Sequence, residues 1–305
     1  MTHSPNREPV IDMRGLTRRF GKTVAVDNLD LTVQPGRCYG LFGRNGAGKT
    51  TALRCLLNLL QPTSGTVRLF GQDPALDDVS VKSRFCYVPD TVGCYPWMTA
   101  LQWFEYIASF RGRWNQELQK ELLAQFQIRP DQKVVTMSKG QQMQVALIAA
   151  LCPEPELLIL DEPTAGLDPL IRREFIQTII GAYQDGDPEN RTILVSTHML
   201  TEFEGLIDEF TILDHGRQHL SLSTDEARER YQRVRARFSD ATGDLDDLPG
   251  LQAKAQGREL SIVSDGNLNE LRSTLESRGA EVFAIEPLTL EELFIAASTK
   301  QTLSI

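Results

Sequence analysis

Residues 38–51 read CYGLFGRNGAGKTT, and this stretch decides which fold the chain adopts. A short apolar strand at residues 38–42 leads into a glycine-rich turn, and a helix is predicted at residues 50–60, before Pro62. The turn, residues 43–50, has the spacing Gly-x-x-x-x-Gly-Lys-Thr. Its glycines allow the backbone to curl so that the amides point at phosphate oxygens, and the helix start adds partial positive charge. The stretch therefore predicts a phosphate-binding loop between a buried strand and a helix.

This phosphate loop supplies the residues that we expect to bind a nucleotide. Lys49 should bridge the β- and γ-phosphates, and the hydroxyl of Thr50 should bind Mg²⁺. The expected nucleotide-binding residues from this part of the chain are Gly43, Arg44, Asn45, Gly46, Ala47, Gly48, Lys49, Thr50 and Thr51. A chance glycine-rich turn is the alternative, and the strand and helix on either side argue against it.

Two adjacent acids end an apolar run at residues 157–162, LLILDE. The run predicts a buried strand at residues 157–160, so Asp161 should stand at its carboxyl end, where ligands bind in open α/β sheets. We expect Asp161 to face the phosphate loop and to bind Mg²⁺ together with Thr50. Glu162 comes next and is placed to polarise an attacking water. A solvated acidic loop is the alternative, and the apolar run directly before the acids argues against it.

The middle of the chain alternates strands with helices, which predicts a parallel sheet with right-handed crossovers. The predicted elements in this region are residues 66–70, 85–88, 101–111, 116–126, 141–151, 157–160, 193–196 and 210–213. The alternating residues 24–33 indicate a half-buried strand in a separate antiparallel sheet. The predicted fold class is therefore α/β, with a parallel-sheet core, an antiparallel β subdomain and a helical subdomain at about residues 95–152.

The pattern of elements changes near residues 222–230. We therefore predict a nucleotide-binding domain at residues 1–222 and a small C-terminal α+β domain at residues 223–305. The predicted elements of the second domain are the strands 233–238, 259–263 and 280–285 and the helix 268–278. The acidic stretch at residues 240–249, DATGDLDDLP, is most simply a solvated connection.

Composition narrows the class of protein. The chain has 305 residues, is 41% hydrophobic and 24% charged, and carries a net charge of −9 with a pI of about 5.1. These values predict a soluble globule and argue against a nucleic-acid surface, which is usually basic. No apolar run approaches the roughly 18 residues that span a bilayer, and the start, MTHSPNREPVIDM, lacks the pattern of a secretory signal. We expect a cytosolic chain whose five cysteines are reduced.

A further stretch, residues 138–168, contains SKGQQ before a helix, the two acids, and a Gly-Leu-Asp turn. Together with the phosphate loop, these motifs resemble the ATP-binding subunit of an ABC transporter over roughly residues 10–217. The resemblance implies a P-loop (RecA-like) core with ATP and Mg²⁺ as ligands. It also implies that Glu162 is catalytic and that His198, at the end of the strand TILVST, contacts the γ-phosphate as a second catalytic residue.

The resemblance further implies that two subunits share each ATP. Ser138, Gly140 and Gln141 match the family signature, which binds the γ-phosphate of the ATP held by the other subunit. A serine, backbone amides and a helix start form an anion site at such a place. Asp168 ends the loop that crosses between subunits, and Phe20 matches the aromatic residue that stacks on adenine. A core aromatic is the alternative for Phe20.

The chain departs from the family pattern at three positions. Met137 and Lys139 replace the commonest Leu and Gly of the signature, and because Ser138 and Gly140 remain we expect function to survive. Asp90 stands where the family usually has Gln, a residue that contacts Mg²⁺ and the attacking water. Aspartate is shorter and charged, so we expect Asp90 to reach the metal through water and to alter Mg²⁺ dependence or turnover.

Residues 91–106, TVGCYPWMTALQWFEY, are rich in aromatic side chains. One interpretation is a helix core, and the other is a groove that receives a cytoplasmic helix of a membrane protein. Both can hold at once. We expect Phe104 in the core and the following residues on the docking surface: Tyr95, Trp97 and Met98.

The tail at residues 286–298, EPLTLEELFIAAS, resembles the C-terminal extension of ABC-2-type exporter ATPases, a generic small appendage being the alternative. The resemblance then implies an ATP-hydrolysing exporter subunit that pairs with a second ATPase subunit, expected to be a second copy of this chain. It implies integral membrane permease subunits as partners, a peripheral location on the inner face of the cell membrane, and no nucleic acid. A soluble ABC ATPase of translation or DNA repair and a non-hydrolysing nucleotide sensor remain the alternatives.

Overall fold

The computed structural model describes residues 8–76, 79–184, 189–239 and 248–299. Its strands are β1 (Ile11–Phe20), β2 (Thr23–Val33), β3 (Cys38–Gly43), β4 (Ser64–Leu69), β5 (Phe85–Val88), β6 (Leu157–Asp161), β7 (Thr192–Thr197), β8 (Glu209–Asp214), β9 (Arg217–Ser223), β10 (Gln232–Phe238), β11 (Ala253–Gln256), β12 (Glu259–Val263) and β13 (Ala280–Pro287). Its helices are α1 (Lys49–Leu56), α2 (Val79–Arg84), α3 (Ala100–Ala108), α4 (Gln116–Gln125), α5 (Lys139–Leu151), α6 (Pro169–Gln184), α7 (Leu200–Phe203), α8 (Thr224–Arg230), α9 (Leu268–Ser277) and α10 (Leu290–Thr299). None of these helices is both long and apolar enough to cross a lipid bilayer.

A six-stranded sheet forms the centre of the larger part of the molecule, in the order β5-β6-β7-β3-β8-β9. Its strands are parallel except for β9, which runs antiparallel to β8 at one edge. Strands β3, β6 and β7 are buried along their whole length, which explains their largely apolar sequences. The register pairs Phe42 with Thr197 and Asp161 with Ser196, so the carboxyl ends of β3, β6 and β7 meet at one edge of the sheet.

A separate antiparallel sheet has the order β2-β1-β4, and β2 contains the predicted strand 24–33. Strand β1 has no counterpart among the predicted strands, and Phe20, expected before the first strands, instead ends β1. The register shifts between Met13 and Leu16, around Gly15, so the alternation of buried and exposed residues is broken there. This bulge is why the sequence pattern does not indicate the strand.

Helices α3, α4 and α5 form a helical subdomain beside the main sheet. Thr99 and Asn115 cap α3 and α4 by accepting a hydrogen bond from the backbone amide of the third residue of each helix. Phe104 is buried in the core, as predicted, and its ring lies 6.4 Å from that of Trp114. The α/β fold class with parallel, antiparallel and helical parts is confirmed.

Several elements differ from the sequence pattern. Helix α1 ends at Leu56 rather than near residue 60, because Asn58 takes a left-handed backbone with φ of +55°. Strands β9 and β11 have no predicted counterpart, since five of the seven residues of β9 are polar and every residue of β11 is exposed. Helix α6 was also absent from the predicted elements, although Pro169 at its first position is a typical start signal.

The C-terminal part is an antiparallel sheet in the order β11-β12-β10-β13, with α9 packed on one face. This agrees with the predicted α+β composition. Helix α10 leaves that sheet, and its apolar residues join the core of the nucleotide-binding part. The boundary at residue 222 stays a prediction, as β9 runs to Ser223, whose side chain caps α8. Most of the predicted acidic connection, residues 240–247, lies outside the described residues.

Candidate nucleotide-binding site

The loop between β3 and α1 depends on its glycines. Gly48 caps α1 with φ of +103°, and a Cβ atom added there would collide with the carbonyl oxygen of Ala25. A Cβ atom on Gly43 would lie 2.5 Å from the carbonyl oxygen of Leu213. Gly46 has φ of +82°, a backbone conformation that favours glycine. The loop is thus packed tightly between two strands, and it curls as the sequence predicts.

Lys49 is the buried cation of this loop. Its side chain is 5% exposed, and Nζ donates hydrogen bonds to the carbonyl oxygens of Gly43, at 2.7 Å, and Arg44, at 3.3 Å. Nζ also forms an ion pair with Oε1 of Glu162 at 2.8 Å. The ammonium is therefore fixed between the loop and the end of β6.

The other predicted loop residues differ in exposure. Three of them are open to solvent, namely Arg44, Asn45 and Gly46. Ala47 is buried, while Thr50 and Thr51 are half-buried in the first turn of α1. The exposed backbone between Arg44 and Gly46 is the part of the loop that a ligand can reach.

Glu162 follows β6 and links three elements. Its backbone amide donates to the carbonyl oxygen of Ser196 at 2.7 Å, and its φ of +48° is a left-handed conformation. Thr197 Oγ1 donates to Oε2 at 3.2 Å, and His198 Nδ1 lies 2.8 Å from the same oxygen. Burial by itself raises the pKa of Glu162, but Lys49 and His198 outweigh it and hold that pKa below its ordinary value. The carboxylate is thus held in its charged form.

Asp161 is the fully buried acid at the end of β6. Ser196 Oγ donates to it at 2.9 Å, the Tyr87 hydroxyl donates at 3.4 Å, and the Thr50 side chain is hydrogen-bonded to it. Burial raises the pKa of Asp161, and the nearby carboxylates of Asp90 and Glu162 raise it further against these hydrogen bonds. A buried carboxylate with this shift fits a place that a cation occupies during function.

The donor atoms near Asp161 suit magnesium. Thr50 and Asp161 offer a hydroxyl and a carboxylate, which are the hard oxygen ligands that Mg²⁺ binds. Across the described ranges, no group of three or more His, Cys, Asp or Glu side chains could hold a metal ion. Mg²⁺ typically takes its remaining ligands from phosphates and water, so two protein ligands are enough. Asp90 is exposed. Its negative charge acts on Asp161 and raises the pKa of that carboxyl group.

A cavity of about 630 Å³ lies beside the phosphate loop. It is lined by residues 43–47 of the loop, His198, Asp214, His215 and Phe294. Its volume suits a ligand of nucleotide size. The cavity brings together two predicted groups, residues 43–47 of the loop and His198. The other predicted site residues are not in its lining: Phe20, Gly48, Lys49, Thr50, Thr51, Asp90, Ser138, Gly140, Gln141, Asp161, Glu162 and Asp168.

Phe20 is 46% exposed at the end of β1. The guanidinium of Arg18 lies over its ring, 4.6 Å from the centroid. Phe20 is therefore a surface aromatic residue rather than a core residue, and one face of its ring forms a cation–π contact with Arg18.

Ser138 begins α5 and forms a reciprocal cap with Gln141. Ser138 Oγ accepts a hydrogen bond from the Gln141 amide at 3.2 Å, and Gln141 Oε1 accepts one from the Ser138 amide at 3.1 Å. A Cβ atom on Gly140 would lie 2.8 Å from Cδ1 of Ile171, so α5 approaches α6 closely here. The side chain of Lys139 extends over Gly166, which precedes the predicted crossing loop residue Asp168.

Asp168 caps α6. Its Oδ1 accepts hydrogen bonds from the amides of Leu170 and Ile171, each at 3.1 Å. Four residues on, Arg172 donates to the carbonyl oxygen of Leu167 at 3.0 Å and pairs with Glu202 at 2.5 Å. The loop that contains Asp168 is thus tied to α7, the helix that follows His198.

Comparison with known proteins identifies the family of this fold and site. The family model described as ABC transporter matches residues 26–165. An uncharacterized ABC transporter ATP-binding protein of Bacillus subtilis is 31% identical over 92% of this chain and 95% of its own length. This chain belongs to the ABC transporter ATP-binding proteins. It is an ATPase and the nucleotide-binding subunit of a transporter.

Other relatives of this ABC ATPase have named transport roles. The bacitracin transport ATP-binding protein BcrA of Enterococcus faecalis is 34% identical and matches 73% of this chain and 72% of its own length. The Nod factor export ATP-binding protein I of Cupriavidus metallidurans is 35% identical and matches 68% of this chain and 69% of its own. These relatives do not favour the soluble alternative of translation or DNA repair.

Solved structures agree with the fold of the ABC ATPase. The ATP-binding subunit of an ABC transporter superposes with a TM-score of 0.65 and is 28% identical, covering 72% of this chain and 92% of that one. A bacterial ABC transporter cassette solved as a dimer has the same fold, with a TM-score of 0.61 and 23% identity over 70% of this chain and 98% of its own.

Sequence reasoning missed several residues in and around this site of the ABC ATPase. They are Asp214, His215 and Phe294 in the cavity lining, Tyr87, Ser196 and Thr197 beside the two acids, and Arg172 beside the loop of Asp168. The spacing of Arg172 could have indicated its place, because it lies one helical turn after the predicted residue Asp168. Its partner Glu202 lies at the same spacing after His198. No sequence pattern indicated Phe294, since only the tertiary packing of α10 brings it to the cavity.

The aromatic stretch after β5 forms a connected surface. The rings of Tyr95 and Trp97 stack at 4.9 Å, and Tyr106 meets Tyr95 edge-on at 5.6 Å. Tyr95 is 43% and Trp97 63% exposed, whereas Met98 is half-buried. The ABC ATPase therefore presents two large aromatic side chains to solvent next to a buried core.

Proposed function

We propose that this chain is the ATP-hydrolysing subunit of an ABC exporter, which pairs with a second copy around two Mg-ATP and drives separate membrane subunits. The observation that carries the proposal is the chain of contacts from Lys49 through Glu162 to His198 at the carboxyl edge of the sheet. The export direction rests on relatives named for Nod factor export and on the resemblance of the tail.

The phosphate loop and Lys49 bind the phosphates in this proposal. The exposed amides between Arg44 and Gly46 and the start of α1 face negative charge, and Lys49 contacts the β- and γ-phosphates. Glu162 polarises the attacking water as a charged carboxylate, since Lys49 and His198 hold its pKa below the ordinary value. His198 contacts the γ-phosphate from the end of β7.

Thr50 and Asp161 would hold Mg²⁺, with Asp90 acting through water. When bound, Mg²⁺ neutralises charge on the phosphate oxygens. In this proposal the protein groups around the metal come from this chain: Thr50 orients its hydroxyl through Asp161, and Ser196 fixes that carboxylate.

The second half of each site comes from the paired subunit. Ser138, Gly140 and Gln141 at the start of α5 form an anion site for the γ-phosphate held by the other copy. Asp168 reaches the same interface from the start of α6. Phe20 stacks on the adenine of the chain's own ATP through the ring face that Arg18 leaves open.

The exposed aromatic rings of Tyr95 and Trp97 support docking of a membrane permease. An amphipathic helix of such a partner would bury them against α3. The chain would then lie peripherally on the inner face of the cell membrane, on the cytoplasmic side, where ATP is present. We also propose the domain division at residue 222, with the helical subdomain at about residues 95–152.

A mixing experiment tests the shared site. Lys49→Ala removes the phosphate-loop cation, and Ser138→Arg blocks the site offered to the other copy, so each variant alone should be inactive. In an equimolar mixture, half of the dimers are mixed, and each of these has one intact site formed by Lys49 of one chain and Ser138 of the other. The mixture should recover about one quarter of the unsubstituted ATPase rate. A mixture as inactive as its components would contradict the shared site.

A further inference from the structure

Helix α10 follows the C-terminal sheet but packs on the ATPase core. Leu290, Leu293 and Ala296 are each at most 3% exposed, and they belong to the same core as Phe203 and Phe210. The small core beneath α9 is made of other residues. The last described helix of the chain is therefore structurally part of the nucleotide-binding unit.

Two polar contacts fix α10 at its first turn. The Leu290 amide donates to Oε1 of Glu204 at 3.1 Å, and Glu204 lies directly after α7. Glu292 pairs with Arg233 of β10 at 2.7 Å. Burial alone would raise the pKa of Glu292, but the Thr289 amide and Arg233 lower it, so the carboxylate stays charged. The helix thus bridges the segment after His198 and the C-terminal sheet.

One turn further, Phe294 reaches the cavity beside the phosphate loop. It lines this cavity together with residues 43–47 and His198. Its side chain is half-buried and also packs against the main core. No other apolar side chain larger than alanine belongs to the described lining of this cavity. Phe294 is thus the one bulky apolar surface that meets the polar loop.

We propose that Phe294 is a residue of the nucleotide site, which excludes water from the His198 side of the cavity and joins the C-terminal sheet to the bound phosphates. The inference rests on the proposed function, since it takes the cavity to hold the phosphates of ATP. An aromatic wall lowers the local dielectric constant, which strengthens the attraction between the phosphates and the loop. The path from the C-terminal sheet runs from Arg233 through Glu292 to Phe294 along a single helix.

Fluorescence tests whether position 294 senses the nucleotide. Phe294→Trp places an indole in the cavity wall, and Ile295→Trp places one at the next position, which is 47% exposed and does not line the cavity. A non-hydrolysable ATP analogue with Mg²⁺ should shift the emission of Phe294→Trp, after subtraction of the unsubstituted protein, and leave Ile295→Trp unchanged. Calorimetric titration with the same analogue establishes that each variant binds it.

Kinetics tests the shielding role. Phe294→Ala should raise the KM for ATP roughly three- to tenfold, as expected for loss of an aromatic contact. Phe294→Leu keeps a large apolar side chain, so its KM should be close to that of the unsubstituted protein. Ile295→Ala is the matched control and should leave KM unchanged. Thermal unfolding without nucleotide separates a loss of fold from a loss of binding.

Two outcomes would overturn the inference. If both Trp variants bind the analogue and respond identically, or if KM is the same in Phe294→Ala and Ile295→Ala, then Phe294 has no part in the nucleotide site. If the unsubstituted protein binds no ATP analogue at all, the proposed function fails and the inference fails with it.

Discussion

The Nζ atom of Lys49 lies 2.8 Å from Oε1 of Glu162. The cation expected to meet the β- and γ-phosphates thus pairs with the carboxylate expected to activate water. Phosphate oxygens that bind Lys49 would weaken this ion pair. Glu162 would then keep its hydrogen bonds with His198 and Thr197. Binding of the phosphates and readiness of Glu162 are therefore linked through one side chain.

Substitution of Glu162 should separate ATP binding from hydrolysis. Glu162→Gln keeps the shape of the side chain but cannot accept the proton, so we expect phosphate release to fall by about 10²- to 10⁴-fold. The variant should accumulate as an ATP-bound dimer in size-exclusion chromatography. Glu156→Gln, which breaks the ion pair with Arg84 away from the site, is the matched control. A monomeric Glu162→Gln protein with normal hydrolysis would refute the role of Glu162.

The same residue should contribute to acid sensitivity. Its pKa is lowered in the folded protein relative to the ordinary value of 4.5, so the stabilisation is complete above that value and is lost as pH falls through the folded pKa. The difference in free energy of unfolding between the unsubstituted protein and Glu162→Gln should therefore shrink as pH decreases from 7 to below about 4.5. Urea titrations across this range measure it, and a difference that grows with acid would contradict the assigned shift.

Asp161→Asn should stabilise the nucleotide-free protein and abolish Mg²⁺-dependent hydrolysis. Its pKa is raised, so the fold favours the neutral form, and stability from this group decreases as pH rises through the folded pKa. At neutral pH an amide removes the buried charge, and we expect a gain of about 1 kcal/mol, or about 2–4 °C in Tm. Ser196→Ala is a useful control, because it removes a hydrogen bond to Asp161 and should lower Tm. A lower Tm for Asp161→Asn would contradict the prediction.

Asp90→Gln should alter the requirement for magnesium. Asp90 adds negative charge near Asp161, so its replacement by a neutral amide should raise the Mg²⁺ concentration for half-maximal ATPase activity by about two- to fivefold. The measurement is ATPase rate against free Mg²⁺ at constant ATP. Identical rates and metal dependence in both proteins would leave Asp90 without a role in metal binding.

Gly140→Ala should loosen the contact between α5 and α6. The new methyl group would lie 2.8 Å from Cδ1 and 3.2 Å from Cγ2 of Ile171, which predicts a loss of about 1–2 kcal/mol. Ile171→Val removes Cδ1, so the double variant Gly140→Ala with Ile171→Val should recover part of the stability. Chemical unfolding of the two single variants and the double variant measures the coupling. Simple additivity of the two single effects would show that the contact is not shared.

The sequence predicts the nucleotide edge of the fold well and its periphery poorly. The positions of Lys49, Asp161 and His198 follow from apolar runs that end in polar residues, and a parallel sheet brings such ends together. Strand β1 is hidden by its bulge at Gly15, and β11 has no buried residue to create a pattern. These elements depend on pairing with distant strands, which local periodicity does not record.

For the residues expected to face a second subunit, the sequence predicts a role that a single chain does not test. Ser138 is identified by its motif, but the reciprocal cap with Gln141 is an intrahelical role that the same residues fill within one chain. Phe294 lies more than 240 residues from the phosphate loop, so only the packing of α10 reveals their proximity. Roles that involve a second copy of the chain stay predictions.

Glu162 stands in a bend whose main chain is left-handed, with φ of +48°. A left-handed backbone disfavours a residue with a Cβ atom by roughly 1–2 kcal/mol, and glycine at this position would relieve that strain. Replacement by glycine would then combine a more relaxed main chain with loss of the carboxylate. Folding stability alone therefore favours glycine at this position, so the bend carries its glutamate at a cost in main-chain energy.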